Sequence, residues 1–273
     1  MKTGLAGFDA VMGNLGLGDL FCVAGRPSVG KTLLLLDVAL RIHRRYETNV
    51  VFATAREFPE EIIAKAPAAA RPFLVELPAR DILRGDVDMP AGRGPCVYLV
   101  DVHAVGPTRP HYIAHRLNAE HSSRCDLLVS DGWTVHPDRV TYMKRVMAGV
   151  QYRLNCERAA MVLPSSALTD AKKFAAASGV ATIYGIRTVW HDDQETGPRA
   201  EDLLRLRPAV GNSASRTVMV HRPELYQPHV PGRKVNVGLI ELTVADGSER
   251  SSRRAELRYD AAARTLRAPA RRR

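Results

Sequence analysis

The sequence lacks any long hydrophobic run: in 273 residues no window approaches the roughly 20 unbroken apolar residues that a membrane-spanning helix needs. No membrane partner is therefore expected. Cysteine is also scarce. Cys22, Cys96, Cys125 and Cys156 are widely spaced and form no C-x-x-C pair, which argues against a zinc site or dithiol redox motif and leaves reduced core thiols. The first residues, "MKTGLAGFDAVMGNLG", carry one Lys but no continuous apolar stretch and no small-residue cleavage site, so no secretory signal is read and a cytoplasmic location is expected. Acidic residues are outnumbered, 29 Asp and Glu against 39 Lys and Arg, for a formal net charge of +10. That balance favours polyanionic partners through counterion release. The competing reading is a solvated, disordered end, because part of the charge lies in "RTLRAPARRR".

What is present is ordinary globular composition, 45% hydrophobic and 25% charged, in a chain long enough to bury a large core. Apolar, β-rich runs alternate with helical patterns, the signature of a parallel sheet covered by helices. The candidate strands are "LFCVAG", "NVVFAT", "CVYLVDV", "CDLLVSD", "AAMVLPS", "RTVMVHR" and "VGLIELTV". Several read as continuous apolar runs, as expected for strands buried on both faces. Helices are predicted over 31–45, 59–65, 109–121 and 137–153. Two stretches read as irregular. One runs from "PAAARPF" to "GRGP" with a short helix in "ARDILRG"; the other runs from "TDAKKFAAASG" to "GNSAS". No internal repeat and no convincing domain boundary is found.

Within "FCVAGRPSVGKTLLLLDVAL", Gly25-Arg26-Pro27-Ser28-Val29-Gly30-Lys31-Thr32 fits G-x-x-x-x-G-K-[ST] at every fixed position. A buried strand before it and an apolar helix after it supply the context that makes the motif a phosphate-binding P-loop rather than a glycine-rich turn. Backbone N–H groups from Ser28 to Thr32 would hold the α- and β-phosphates of ATP at a helix N-terminus. Lys31 would reach the β- and γ-phosphates, and the Thr32 hydroxyl would ligate Mg²⁺. Two carboxylates complete the candidate site. "RCDLLVSDGW" is an apolar strand ending in Asp131, suited to the magnesium side; Asp126 at its other end is less suited. "NVVFATAREFPEEI" ends a strand at Glu57, just before a Pro-initiated helix, where a carboxylate can polarise the attacking water. The structural alternatives are a cap for Asp131 and a helix-dipole acid for Glu57.

The stretch "TGLAGFDAVMGNLGLGDLFCVAGRPSVGKTLLLLDVAL" resembles the start of the RecA-like motor domain of DnaB-type replicative helicases, where T-G-x-x-x-x-D and L-x-x-G-D-L segments precede an A-R-P-S-x-G-K-T loop. The likeness continues through "VVFATAREF", "CDLLVSDGW", "YRLNCERAAMVLPSSALTD", "SRTVMVHRPELYQP" and "GLIELTVADGSERSSRRAELRYDAAARTL". It implies an α/β RecA-like P-loop NTPase: a mostly parallel, twisted sheet flanked by helices, with a C-terminal β-hairpin. Residues 1–266 would form a single ATPase domain and 267–273 a basic, disordered tail. The implied activity is hydrolysis of ATP with Mg²⁺ by a helicase or DNA-stimulated ATPase. It would work as a homo-oligomeric, hexameric ring on single-stranded DNA, with replication or accessory proteins as partners.

By the same resemblance Glu57 is the catalytic glutamate, Asp131 the Walker B aspartate, and Ser165 in "LPSSAL" stands where the family has a γ-phosphate-sensing Gln. The sequence departs from the family twice more. Nothing in these 273 residues corresponds to the family's amino-terminal helical domain. The late K-x-R-N-G segment, whose cations reach a neighbouring subunit's nucleotide, aligns with Thr243-Val-Ala-Asp-Gly247. Arg250, Arg253 and Arg254 are the candidate replacements. Channel-lining segments supply Arg139, Lys144, Lys172, Lys173 and Arg187 as candidate DNA phosphate contacts, with Tyr184 or Trp190 to stack on bases; a wet helix face is the competing reading. An alternative to the motor is a stand-alone ATP-binding module that acts as an accessory or regulatory switch without unwinding. His111 and His115 stand at i, i+4, but no acidic residue accompanies them, and no metal site is expected there.

Overall fold

The computed structural model describes residues 1–84, 94–102, 109–120, 124–135, 167–188, 210, 213–225, 237–244 and 253–269. A ten-stranded sheet runs through these residues in the order β10-β9-β8-β7-β1-β6-β5-β2-β4-β3. The strands are β1 (Leu20–Gly25), β2 (Asn49–Thr54), β3 (Leu74–Glu76), β4 (Val97–Asp101), β5 (Cys125–Val135), β6 (Ala181–Thr188), β7 (Arg216–His221), β8 (Leu239–Val244), β9 (Arg254–Asp260) and β10 (Thr265–Arg267). From β3 across to β7 the pairings are parallel; β7-β8, β8-β9 and β9-β10 are antiparallel. Helices are α1 (Ala6–Met12), α2 (Lys31–Tyr46), α3 (Pro59–Lys65), α4 (Ala79–Arg84), α5 (Arg109–Glu120) and α6 (Ala167–Ser178).

Two apolar layers enclose the sheet, and strand periodicity assigns residues to them. Phe21 and Val23 of β1, Leu127 and Val129 of β5, and Ala181 and Ile183 of β6 share a core with α1, α2 and Ile62 of α3. Their neighbours Cys22, Leu128, Tyr184 and Ile186 face a second core containing Ile82 of α4, Ile113 and Leu117 of α5, and Leu168 of α6. β1 and β2 are buried at all six positions, which is why they read as unbroken apolar runs. α2 buries Leu34, Leu35, Val38 and Ile42 and carries Arg44 and Arg45 in its last turn, cations that complement the helix dipole. α3 starts with Pro59 at its first position, and Glu61 Oε2 accepts the Phe58 N–H at 2.8 Å.

The T-G-x-x-x-x-D segment has a local explanation. Asp9 accepts hydrogen bonds from the N–H of Thr3 and Gly4, both at 2.9 Å, and from Thr3 Oγ1 at 2.7 Å. This closes the turn that leads into α1.

Several expectations are corrected. The stretch beginning at "TDAKKFAAASG" is not irregular throughout: it holds α6 and β6, and β6 is a central strand lying between β1 and β5. β5 does not stop at Asp131 but continues to Val135 through a register shift at the Asp131–Gly132 step, with Gly132 at φ 91°. Arg267, expected in the tail, pairs with Arg258 in β10 and its guanidinium lies 3.0 Å from Asp260. The predicted strand "AAMVLPS", the helix 137–153 and residues 270–273 lie outside the described residues.

Candidate nucleotide site

The carboxyl ends of the parallel strands carry the polar residues predicted for the site, at the place where open α/β sheets bind ligands. β1 ends at Gly25, and α2 starts at Lys31 after the left-handed residues Ser28 (φ 63°) and Gly30 (φ 92°). Such alternation of backbone hand turns successive N–H groups into an anion-binding concavity. A side chain at Gly25 would meet the Val220 carbonyl at 2.6 Å, so the loop lies tight against β7. Val29, 1% exposed, anchors the loop in the core, whereas Ser28 is exposed and Arg26 and Pro27 are half-buried.

Lys31 is 9% exposed and donates to the carbonyls of Gly25 at 2.9 Å and Arg26 at 2.7 Å. Burial pushes its ammonium pKa down to about 8; Arg187 and Arg56 act in the same direction, while Asp131 opposes them. Asp131 is 3% exposed, and its Oδ2 accepts the Thr32 hydroxyl at 2.6 Å. Burial raises its carboxyl pKa, helped by the charge of Glu57 and opposed by the Thr32 hydrogen bond and Lys31. The two residues predicted to hold Mg²⁺ are thus in direct contact across 99 positions of sequence.

The residues present fit that ion. Thr32 and Asp131 supply two adjacent oxygen donors, one anionic, beside an anion cradle that leaves further positions to phosphate and water.

Glu57 is fixed by its own backbone. The Thr54 hydroxyl donates to the Glu57 carbonyl at 2.9 Å, and the Glu57 N–H donates back to it at 3.1 Å. Its carboxylate lies 2.5 Å from Lys65 Nζ, and its charge is felt by Asp131. Among the described residues, then, the P-loop, Thr32, Asp131 and Glu57 come together. Residue 165 lies outside them, as do Arg139, Lys144, Trp190 and Arg250.

Other candidates fall elsewhere. Lys172 and Lys173 are exposed on α6. Arg253 and Arg254 are exposed at the start of β9, where Arg254 pairs in register with Thr243. Tyr184 is 1% exposed and sits in the second core near Trp133 and His111, so it presents no face for a base to stack on. Arg187, one residue before the end of β6, lies beside the P-loop, in register with Gly25. His111 is a core residue packed on Phe174, with ring centroids 4.6 Å apart, and burial holds its pKa down at about 4. No cluster of three metal-ligating side chains occurs among the described residues. No helix among them is long and apolar enough to cross a membrane.

Residues 1–72 match the DnaB-like helicase C-terminal domain. That match takes in α1, the P-loop, β2, Glu57 and α3. Solved structures extend the likeness in fold to nearly the whole chain. One, described as a DnaB-like replicative helicase and its interactions with primase, is 14% identical with a TM-score of 0.65, covering 97% of this chain and 62% of its own. The present chain therefore spans less than two thirds of that helicase. A second, described as an ATPase domain, is 12% identical with a TM-score of 0.65, over 98% of this chain and 91% of that one. The RadB recombinase is 16% identical with a TM-score of 0.51, over 98% and 99%. A comparison with curated proteins gave no match. The fold is that of a RecA-like ATPase domain.

Sequence reasoning missed Arg56, Gly185 and the placement of Arg187. A side chain at Gly185 would meet Asp131 Oδ1 at 2.1 Å and Leu35 Cδ1 at 2.7 Å. The signal was a lone Gly inside a β-rich run, which marks a close approach.

Proposed function

We propose that the chain is a Mg²⁺-dependent ATPase of the DnaB-like helicase type that works on single-stranded DNA. The observation that carries this reading is the 2.6 Å contact between the P-loop hydroxyl of Thr32 and the buried carboxylate of Asp131, which also feels the charge of Lys31. A folding role alone does not call for a buried carboxylate on a P-loop threonine, since burying an acid is costly.

In this reading the amides from Ser28 to Thr32 hold the phosphates and the Lys31 ammonium leaves the Gly25 and Arg26 carbonyls for them. Thr32 and Asp131 would hold Mg²⁺, which when bound neutralises charge on the β- and γ-phosphates. The Glu57 carboxylate accepts the proton of the water that attacks the γ-phosphorus, and the bond to the β,γ-bridging oxygen breaks to leave ADP. The chain acts in the cytoplasm as a homo-oligomeric, hexameric ring with the nucleotide between subunits. Arg250, Arg253 and Arg254 are the cations available to a neighbouring site. Arg139, Lys144, Lys172 and Lys173 are available to the DNA backbone, and the net charge of +10 supports a polyanionic partner. Replication or accessory proteins are the expected protein partners.

One observation favours a second reading, an ATP-bound switch without unwinding. Thr243-Val-Ala-Asp-Gly247 carries no cation where the resembling helicases place theirs, and a missing arginine finger costs about 10³–10⁵ in turnover. Steady-state ATPase assays with Mg²⁺, with and without single-stranded DNA, separate the two. Strong stimulation supports the motor. Tight binding with negligible turnover in both conditions supports the switch, and no nucleotide binding refutes both.

A further inference from the structure

We propose that Arg187, at the carboxyl end of β6, contacts the terminal phosphate of a nucleoside triphosphate bound to its own subunit, making the site selective for triphosphate over diphosphate. The proposal rests on the nucleotide-binding reading above and adds a residue that the reading does not require.

Strand register brings Arg187 to the loop. It is the parallel-strand partner of Gly25, the first residue of the P-loop, so their Cα atoms lie about 4.8 Å apart. Lys31 Nζ is in turn 2.9 Å from the Gly25 carbonyl. Strand alternation then selects the face. The missing Cβ of Gly185 points at Asp131 Oδ1 and at Leu35 of α2, and a strand returns to the same face two residues on. Arg187 therefore leaves β6 on the side that carries α2, Lys31 and Asp131, while Tyr184 and Ile186 point into the opposite core. Arg187 is half-buried near the strand end, and its charge reaches Lys31.

The balance of charge points to the ligand. Lys31 feels both Arg187 and Arg56, so three cations converge where Asp131 is the acid in contact with the loop and Glu57 is already paired with Lys65. A triphosphate is the kind of ligand that three cations beside a P-loop suit. An arginine from another subunit is not needed for this: the cation is supplied in cis, in a chain whose Thr243–Gly247 segment offers none. A planar guanidinium can also bind two phosphate oxygens at once.

The test is calorimetric binding of Mg²⁺–ADP and of the non-hydrolysable Mg²⁺–β,γ-imido-ATP to wild type, Arg187→Ala and Arg187→Lys. Arg187→Ala is expected to weaken the triphosphate analogue about 10- to 100-fold, the loss of a charge-assisted hydrogen bond, and ADP less than about threefold. Retained ADP binding reports an intact fold; if Arg187→Ala does not fold, Arg187→Lys, which keeps the charge but not the fork, is expected to lose part of the same selectivity. An unchanged ratio of the two affinities overturns the proposal, as does a ratio that is unchanged while binding to a single-stranded oligonucleotide falls. Wild type binding neither nucleotide would instead refute the nucleotide-binding reading itself.

Discussion

Replacing Gly185 by Ala tests how closely the fold is built around Asp131. The added methyl would stand 2.1 Å from Asp131 Oδ1 and 2.7 Å from Leu35 Cδ1, inside any tolerable contact distance. Forcing a methyl into a packed site costs about 1–3 kcal/mol. Displacing the carboxylate also weakens its bond from Thr32, worth about 1.5–3 kcal/mol. A residue other than Gly in a strand returns about 0.5–1 kcal/mol, so Gly185→Ala should destabilise by about 2–4 kcal/mol. In an Asp131→Ala background the closer clash is gone and the Leu35 contact remains, so the same change should cost about 1 kcal/mol. Urea unfolding of the four proteins measures this cycle, with an expected coupling of about 1–3 kcal/mol. A Gly185→Ala cost below about 0.5 kcal/mol, or an equal cost in both backgrounds, would refute the reasoning.

Glu57→Gln keeps the turn made by Thr54 but removes the proton acceptor; nucleotide should still bind while turnover falls at least about 10²-fold, measured by phosphate release, and unchanged turnover would place the base elsewhere. Lys31 should show its depressed pKa in binding. A phosphate-bound ammonium must be charged, so affinity for ATP should be flat below about pH 8 and fall up to about tenfold per unit above it, with proton uptake visible by calorimetry in two buffers at about pH 8.5. His111, with a folded pKa lowered to about 4, binds its proton more weakly in the native state than in the unfolded one. Stability should therefore be lost as pH falls from about 6.5 toward 4, by up to about 3 kcal/mol, and unfolding curves of His111→Leu should lose that part of the acid dependence.

The P-loop and its flanks were legible because each residue there carries a separate local signal. β1 and β2 are buried on both faces and read as apolar runs with the observed bounds, and Pro59 marked the start of α3. Asp131 and Glu57 were read from an acid that follows an apolar run; Asp131 pairs in register with Thr54, the last residue of β2, and Glu57 lies three residues beyond it. β6 was not legible. It interleaves Thr182, Gly185 and Arg187 with apolar residues, and its Gly reads as a break, although that Gly exists to admit the carboxylate of Asp131 from a strand formed earlier in the chain. α1 was missed because seven residues without a side-chain cap at Leu5 give little periodicity; its support is tertiary, from Phe8, Val11 and Met12 in the core. Tyr184 looked like a stacking residue because exposure is not written in sequence, and only the pairing of β6 with β5 shows that it points inward.

Nucleotide binding at the P-loop is tested most directly by titrating Mg²⁺–ATP into the wild-type chain and Lys31→Ala at neutral pH. Wild type should bind saturably and the variant should not, while remaining folded, since the Lys31 ammonium bonds to loop carbonyls rather than to the core. Binding that survives the loss of Lys31, or a wild type that binds nothing, would contradict the assignment of the P-loop as the nucleotide site.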